Sequence, residues 1–374
     1  HDPLHVVCVR SEMAHARLLE VHSEQARAMP GVVAVLTAAD LGVRPHHGMV
    51  KVHDDFARSP LAEGKVRFVG EAVAAVVAES AVQARDAADL VVVDYEPLAA
   101  VVDAEEALAE GAPVLFEQHG DNIAVAATDP VQPGLFGDAD IVVRGRYVNQ
   151  RVAVAPLEPH AAAAVVGADG RLTFYGSTQM PHLLHQLLSR ALRLDKSRIR
   201  VITPHVGGGF GGKAGLYPEQ VVVAVAALQV GRPVTWMSTR SEDMVSLAHS
   251  RGQVQYVELG CRRDGTFTGL RVRLVGDGGA YPGLGAFLPA GTRRMSNGTY
   301  AFTGIQFDVL VAATNTTPMG AYRGAGRPEA TALLERAVDH AALTLGIDPI
   351  EIRRRNLLAD DVFPFHTLTG ITYD

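Results

Sequence analysis

The chain has 374 residues, 48% of them hydrophobic and 20% charged, so at ~150 residues per domain it makes two or three domains, each able to bury a core. Its 34 lysines and arginines against 41 aspartates and glutamates leave a net charge of −7, which argues against a nucleic-acid or anionic-lipid binder. Cys8 and Cys261 are its only cysteines, too few for a disulfide framework, a zinc cage or an iron–sulfur cluster within this chain.

These features describe a soluble protein of a reducing compartment, and a cytoplasmic location is expected. The longest apolar run, Val221–Leu228, has eight residues, far from the ~18 of a membrane helix. The first residue is His1 rather than Met, and the chain stops at Ile-Thr-Tyr-Asp374. A longer parent polypeptide is expected from those ends.

In chain order, His5–Arg10 is a strand with no signal peptide before it. Ala72–Ala78 is an unbroken apolar run suited to a buried strand. Ser80-Ala-Val-Gln83 reads as a capping box opening a helix to about Leu90, followed by a strand over Val91–Tyr95. The expectation here is a β-α-β unit. Gly111, Pro113, Gly120, Pro130, Pro133, Gly134 and Gly137 then mark a loop-rich stretch, and the domain boundary is placed between residues 112 and 113.

The second region repeats strand, glycine-rich or polar turn, and helix. Arg171–Ser177 is a strand, and Pro181 opens a helix to about Leu192 with Leu184, Leu187, Leu188 and Ala191 on one face. Ile199–Val206 is a strand running into Gly207–Gly212. Pro218 starts a helix ending at Gly231, and Val234–Met237 is the next strand. Ala330, Leu333, Leu334, Ala337, Val338, Ala341, Ala342 and Leu345 repeat at three and four, an amphipathic helix stopped by Gly346. Asp348-Pro-Ile-Glu351 begins another with a capping box.

Gly207-Gly-Gly-Phe-Gly-Gly-Lys213 carries the strongest local signal. It satisfies both G-x-G-x-x-G and G-x-x-x-x-G-K. A P-loop needs Ser or Thr after the lysine, and this chain has Ala214. It also needs a helix to start at the loop, where Pro218 would break the second turn. A dinucleotide fingerprint wants an acid soon after the next strand, but Ser238-Thr-Arg240 comes first and Glu242 is late. What remains is five glycines around one aromatic, more than a tight turn requires. Such a loop lets backbone N–H groups approach a flat or anionic ligand while Phe210 walls an adjacent pocket.

A second feature is Asn315-Thr-Thr-Pro-Met-Gly-Ala-Tyr-Arg-Gly-Ala-Gly-Arg-Pro-Glu-Ala330. Arg323 and Arg327 flank two glycines before the helix that Pro328 opens, a natural oxyanion site. Ser177-Thr-Gln179, at a strand end, reads by itself as a capping turn. His182 and His185 share a helix face without a third ligand, which suits a surface or capping role. No G-x-S-x-G, H-E-x-x-H or C-x-x-C motif is present.

Together and in this order, Ser-Thr-Gln179, Gly-Gly-Gly-Phe-Gly-Gly-Lys213 and Ala321-Tyr-Arg-Gly-Ala-Gly-Arg-Pro-Glu329 resemble the molybdenum-binding large subunit of the xanthine oxidase family. That family includes aldehyde oxidases and carbon monoxide dehydrogenase-like proteins. Val9-Arg-Ser-Glu-Met-Ala-His-Ala-Arg17 and Pro30-Gly-Val-Val-Ala-Val-Leu36 are similar to its α/β hammerhead domain. Leu157-Glu-Pro-His160, Tyr281 after Gly278-Gly-Ala, and Leu345-Gly-Ile-Asp-Pro-Ile-Glu351 continue the likeness.

The resemblance implies an α+β fold, with a hammerhead domain over residues 1–112 and the first part of the molybdopterin-binding domain over 113–374. It places Gln179 beside the molybdenum's apical ligand, Phe210 and Gly211 along the metal with Gly209 in the same loop, and Arg323 next to it. Ala321, Tyr322 and Gly324 would offer backbone groups to the pterin. Gln179, Phe210 and Arg323 are thus the implied catalytic positions, near the metal without ligating it, since the pterin dithiolene holds the molybdenum. The implied cofactor is molybdenum-molybdopterin in its cytosine dinucleotide form.

The implied partners are the remaining half of the large subunit, an FAD-binding medium subunit and a [2Fe-2S] small subunit, in a dimer of heterotrimers. The implied reaction is hydroxylation of an aldehyde or aromatic heterocycle with oxygen from water. Its glutamate base belongs to a motif beyond Asp374. In the family's carbon monoxide enzymes a cysteine that carries copper follows the arginine; here that residue is Gly324, and no copper site is expected. Purine oxidisers have an acid after Gly-Lys and an aromatic two residues after the arginine, where this chain has Ala214 and Ala325. The alternatives are a non-catalytic scaffold of the same fold and a nucleotide-binding enzyme using Gly207–Lys213.

Overall fold

The computed structural model describes residues 2–374. Its central element is a mixed seven-stranded sheet in the order Ile199–Ile202, Leu172–Gly176, Ala161–Val166, Val234–Met237, Leu4–Arg10, Ala72–Ala78, Val32–Leu36. Strands from the first hundred residues and from 161–237 therefore share one sheet. They are joined by the parallel pairs Leu4↔Val234 and His5↔Thr235. All seven residues of Ala72–Ala78 are buried, as an unbroken apolar run requires in a sheet covered on both faces. Helix Pro218–Val230 lies against this sheet with Val221–Ala227 buried.

A second, five-stranded sheet runs Ile123–Thr128, Gly304–Ala313, Phe267–Gly279, Gln253–Cys261, Ile141–Asn149. Helix Arg327–Leu345 covers it through Leu333, Leu334, Ala337, Val338, Ala341 and Ala342, the stripe its three-and-four spacing foretold. Proline at the first or second position starts helices Pro181–Leu192, Pro218–Val230, Arg327–Leu345 and Pro349–Asn356, because it needs no N–H there. Gly231 and Gly346 end two of them at φ of 64° and 67°, the left-handed turn that frees the last carbonyls for capping.

The β-α-β expectation is corrected. After helix Ala81–Ala88, strand Val92–Pro97 leaves the large sheet and joins a three-stranded one with Ala16–His22 and Lys65–Val66. Its alternate residues are exposed, so it has one face to bury and cannot occupy a central parallel position. Strand Ile199–Ile202 ends before the expected Val206. The two capping boxes are half formed. Ser80 Oγ accepts from the Gln83 N–H at 3.3 Å, but Gln83 returns its Oε1 to that hydroxyl rather than to the backbone. Asp348 caps Ile350 and Glu351, while the Glu351 carboxylate turns to Arg355 at 2.9 Å.

Candidate cofactor site

Strand Leu172–Gly176 delivers Ser177-Thr-Gln179 to the floor of an open cleft. The Gln179 N–H and the Thr178 hydroxyl both donate to the Lys213 carbonyl at 3.1 Å, stitching this strand end to the glycine loop. Gln179 Oε1 accepts from the Gly211 N–H at 2.9 Å. Its Nε2 has no protein partner among the described residues. The close approach needs glycine: a Cβ on Gly209 would stand 2.7 Å from Gln179 Oε1, and one on Gly211, at φ 102°, would overlap the Ala321 carbonyl.

The second loop meets the first across that contact, where the Arg323 N–H donates to the Phe210 carbonyl at 2.9 Å. Phe210 and Ala325 have φ of 51° and 46°. Strained backbone in non-glycine residues is costly and collects at functional sites. The cleft is lined by Gln179, Phe210, Gly211 and residues 321–325. Phe210 and Arg323 are exposed, so the aromatic face and the guanidinium are both available to a ligand.

Buried charges hold each loop from behind. Lys213 has a fully buried side chain with its Nζ 3.5 Å from Glu158 Oε1, and Glu158 Oε2 accepts from the Gly207 N–H. Burial holds the Lys213 amine below its usual value. Burial pushes Glu158 up but is outweighed by Ser177, the Gly207 N–H and Lys213, which keep it below the usual carboxylate range. His160 Nε2 lies 2.9 Å from the Gly212 carbonyl. Under the second loop, Arg251 donates to the Tyr322 and Arg323 carbonyls at 3.3 and 2.9 Å and pairs at 3.1 Å with Glu329, which is fully buried.

This arrangement closes the nucleotide alternative. The helix begins at Pro218 rather than at the loop, and Lys213 faces Glu158 in the interior, where it cannot reach a phosphate. Of the i, i+3 histidines, His185 reaches the Lys196 and Ile199 carbonyls. Arg251 had no legible motif, and the roles of Glu158 and Glu329 were not legible from the motifs that contain them. An acid in the first turn after Arg-Pro was the nearest signal for Glu329.

The donor set fits a cofactor that brings its own metal ligands. No Asp, Glu, His or Cys lines the cleft. The N–H groups of Gly208, Gly209, Phe210, Ala321, Tyr322 and Gly324 have no protein acceptor among the described residues. Free amides, one carboxamide and one guanidinium suit anionic and oxo oxygens.

An α+β protein presenting two glycine-rich loops to a metal-carrying organic cofactor is the class that fold and site define. Residues 115–357 match the molybdopterin cofactor-binding domain, and residues 1–99 match the aldehyde oxidase and xanthine dehydrogenase a/b hammerhead domain. The chain belongs to this molybdenum-binding family.

It is 36% identical to the carbon monoxide dehydrogenase large chain of Hydrogenophaga pseudoflava, over 99% of this chain and 49% of that one. It is 34% identical to the nicotine 6-hydroxylase large subunit of Paenarthrobacter nicotinovorans, over 99% and 46%. The solved structure of quinoline 2-oxidoreductase from Pseudomonas putida 86 superposes with a TM-score of 0.93 at 35% identity, covering 99% of this chain and 48% of that one. The chain spans about half the length of the curated relatives it matches. No helix of the described residues is long and apolar enough to cross a membrane.

Proposed function

We propose that the chain is part of the large subunit of a molybdenum hydroxylase acting on an aldehyde or an aromatic heterocycle. The observation that carries this reading is the meeting of Gln179, Phe210, Gly211 and residues 321–325 in one cleft of free hydrogen-bond donors. Bound there, the cofactor supplies two-electron oxidation with oxygen from water. The Gln179 carboxamide and the Arg323 guanidinium would lie beside the metal, and Arg323 adds fixed positive charge where negative charge develops. Gly209, Gly211, Ala321, Tyr322 and Gly324 form the backbone cradle, and Phe210 excludes water and offers an aromatic face.

Behind the contact of Gly211 with Ala321 lies a cavity whose wall includes Met49, Phe56, Ala214 and Leu284. Burial holds His46 and His47 below their usual values, and no Asp or Glu lines the space. Arg58 is stacked on Phe68 and Tyr281 at 5.1 Å. With no carboxylate to bond a purine's N–H groups, such a wall suits a flat substrate with few polar groups better than xanthine, and Gly324 offers no copper ligand. The same reading assigns the cytosine dinucleotide cofactor, an FAD-binding medium subunit, a [2Fe-2S] small subunit and the rest of the large subunit, in a dimer of heterotrimers. It divides the chain near 112 and places the assembly in the cytoplasm, where the two buried, unpaired cysteines stay reduced. The test is a substrate panel on the purified assembly with an artificial electron acceptor. An aldehyde or an N-heteroaromatic other than a purine should have the highest kcat/KM; carbon monoxide or xanthine in that place overturns the reading.

A further inference from the structure

Away from the cofactor cleft, the turn Asp54–Phe56 meets the segment around His119. The His53 and His119 Nδ1 atoms lie 2.8 and 3.2 Å from the same oxygen, Asp55 Oδ2. His119 Nε2 faces the Ile123 carbonyl at 3.1 Å. Carbonyl and carboxylate both only accept, so the ring either carries two protons or, with Nε2 donating to the carbonyl, turns the Nδ1 lone pair toward Asp55 Oδ2. His53 Nδ1 spends its one lone pair on the Asp55 N–H at 3.4 Å, a long bond that a metal ion would replace. Two lone pairs and a carboxylate oxygen, all within 4.8 Å, repel one another unless positive charge sits among them.

The His119 ring is also preset, with its centroid 4.7 Å from that of Phe56 and 4.8 Å from that of His53. Two imidazoles and one carboxylate make three of the four ligands of a tetrahedral zinc-type site, and water completes it. We propose that His53, Asp55 and His119 bind one divalent transition-metal ion, distinct from the cofactor. It clips the loop carrying Phe56, part of the cavity wall, to the segment that follows the hammerhead region.

The experiment titrates the chelator-treated purified assembly with Co2+, followed by visible absorption, and measures melting with and without Zn2+. One equivalent should give a saturable tetrahedral cobalt spectrum, weakened at least tenfold in His53→Ala and His119→Gln, and Zn2+ should raise Tm in wild type but not in His53→Ala. His53 is half exposed, so its removal leaves the fold intact. His22→Ala, in the exposed Glu20–His22–Asp94 group, is the control. Absence of the spectrum overturns the proposal and means that protons alone neutralise the cluster. An unchanged titration in His53→Ala, or its loss in His22→Ala, overturns it too.

Discussion

The loops Gly207–Lys213 and Ala321–Arg327 perform the same task by different means. Each places one non-glycine residue at positive φ, Phe210 in the first and Ala325 in the second, and each leaves backbone amides without a protein acceptor among the described residues. The first is anchored by several polar groups spread along it: half-buried Glu158 at Gly207, buried His160 at Gly212 and buried Lys213 against Glu158. The second depends chiefly on one side chain, Arg251, which holds two carbonyls and neutralises Glu329. A distributed anchor should tolerate loss of one member better than a concentrated one.

The largest expected effect therefore falls on Arg251→Ala. It strands a fully buried Glu329 and should cost about 3–5 kcal/mol in denaturant unfolding, because an unpaired buried charge is expensive. Adding Glu329→Gln should recover part of that loss. An Arg251→Ala protein as stable as wild type would show that the second loop is held some other way.

Arg323→Ala tests the cleft rather than the anchor. Its side chain is exposed, so Tm should hold while turnover of the loaded assembly falls roughly 100-fold or more, the usual cost of removing a preorganised charge. Gly211→Ala tests the seam between the loops. The added Cβ meets the Ala321 carbonyl at a φ of 102°, and the strain should cost about 1–3 kcal/mol and lower cofactor content.

For the first loop's anchor, burial raises the Asp243 carboxyl, but the adjacent His160 ring, 3.4 Å away, and the hydrogen bond from Ser238 outweigh it and hold the group below its usual value. A carboxyl with a lowered folded-state value stabilises fully above about pH 4 and loses that contribution as the pH falls through the lowered value. The stability gap between wild type and Asp243→Asn should thus narrow on acidification. The smallest effect belongs to Ala325→Gly. Glycine relieves the positive φ at the cost of a freer unfolded chain, for a net change within about 1 kcal/mol by thermal melting.

The parts of the molecule that were legible in the sequence have local causes. Pro218 and Gly231 bracket their helix because one residue type suits each end, and the Ala72–Ala78 run allows little but a buried strand. The cleft residues were legible because the glycine pattern and Arg323 stand in short motifs. The anchors were not, since Arg251–Glu329 and Glu158–Lys213 are pairs made only by folding, with no spacing rule to announce them. The strand Val92–Pro97 was found but misassigned. Sheet membership depends on which face finds a partner, and that is decided far along the chain.

The most direct test of the central claim is metal and nucleotide analysis of the assembly purified from its native host. One molybdenum per copy of this chain, with cytidine nucleotide released on acid treatment and both lost in Gly211→Ala, is the predicted result. A folded assembly without molybdenum, or full molybdenum in a folded Gly211→Ala variant, would contradict the claim that the seam between these two loops holds the cofactor.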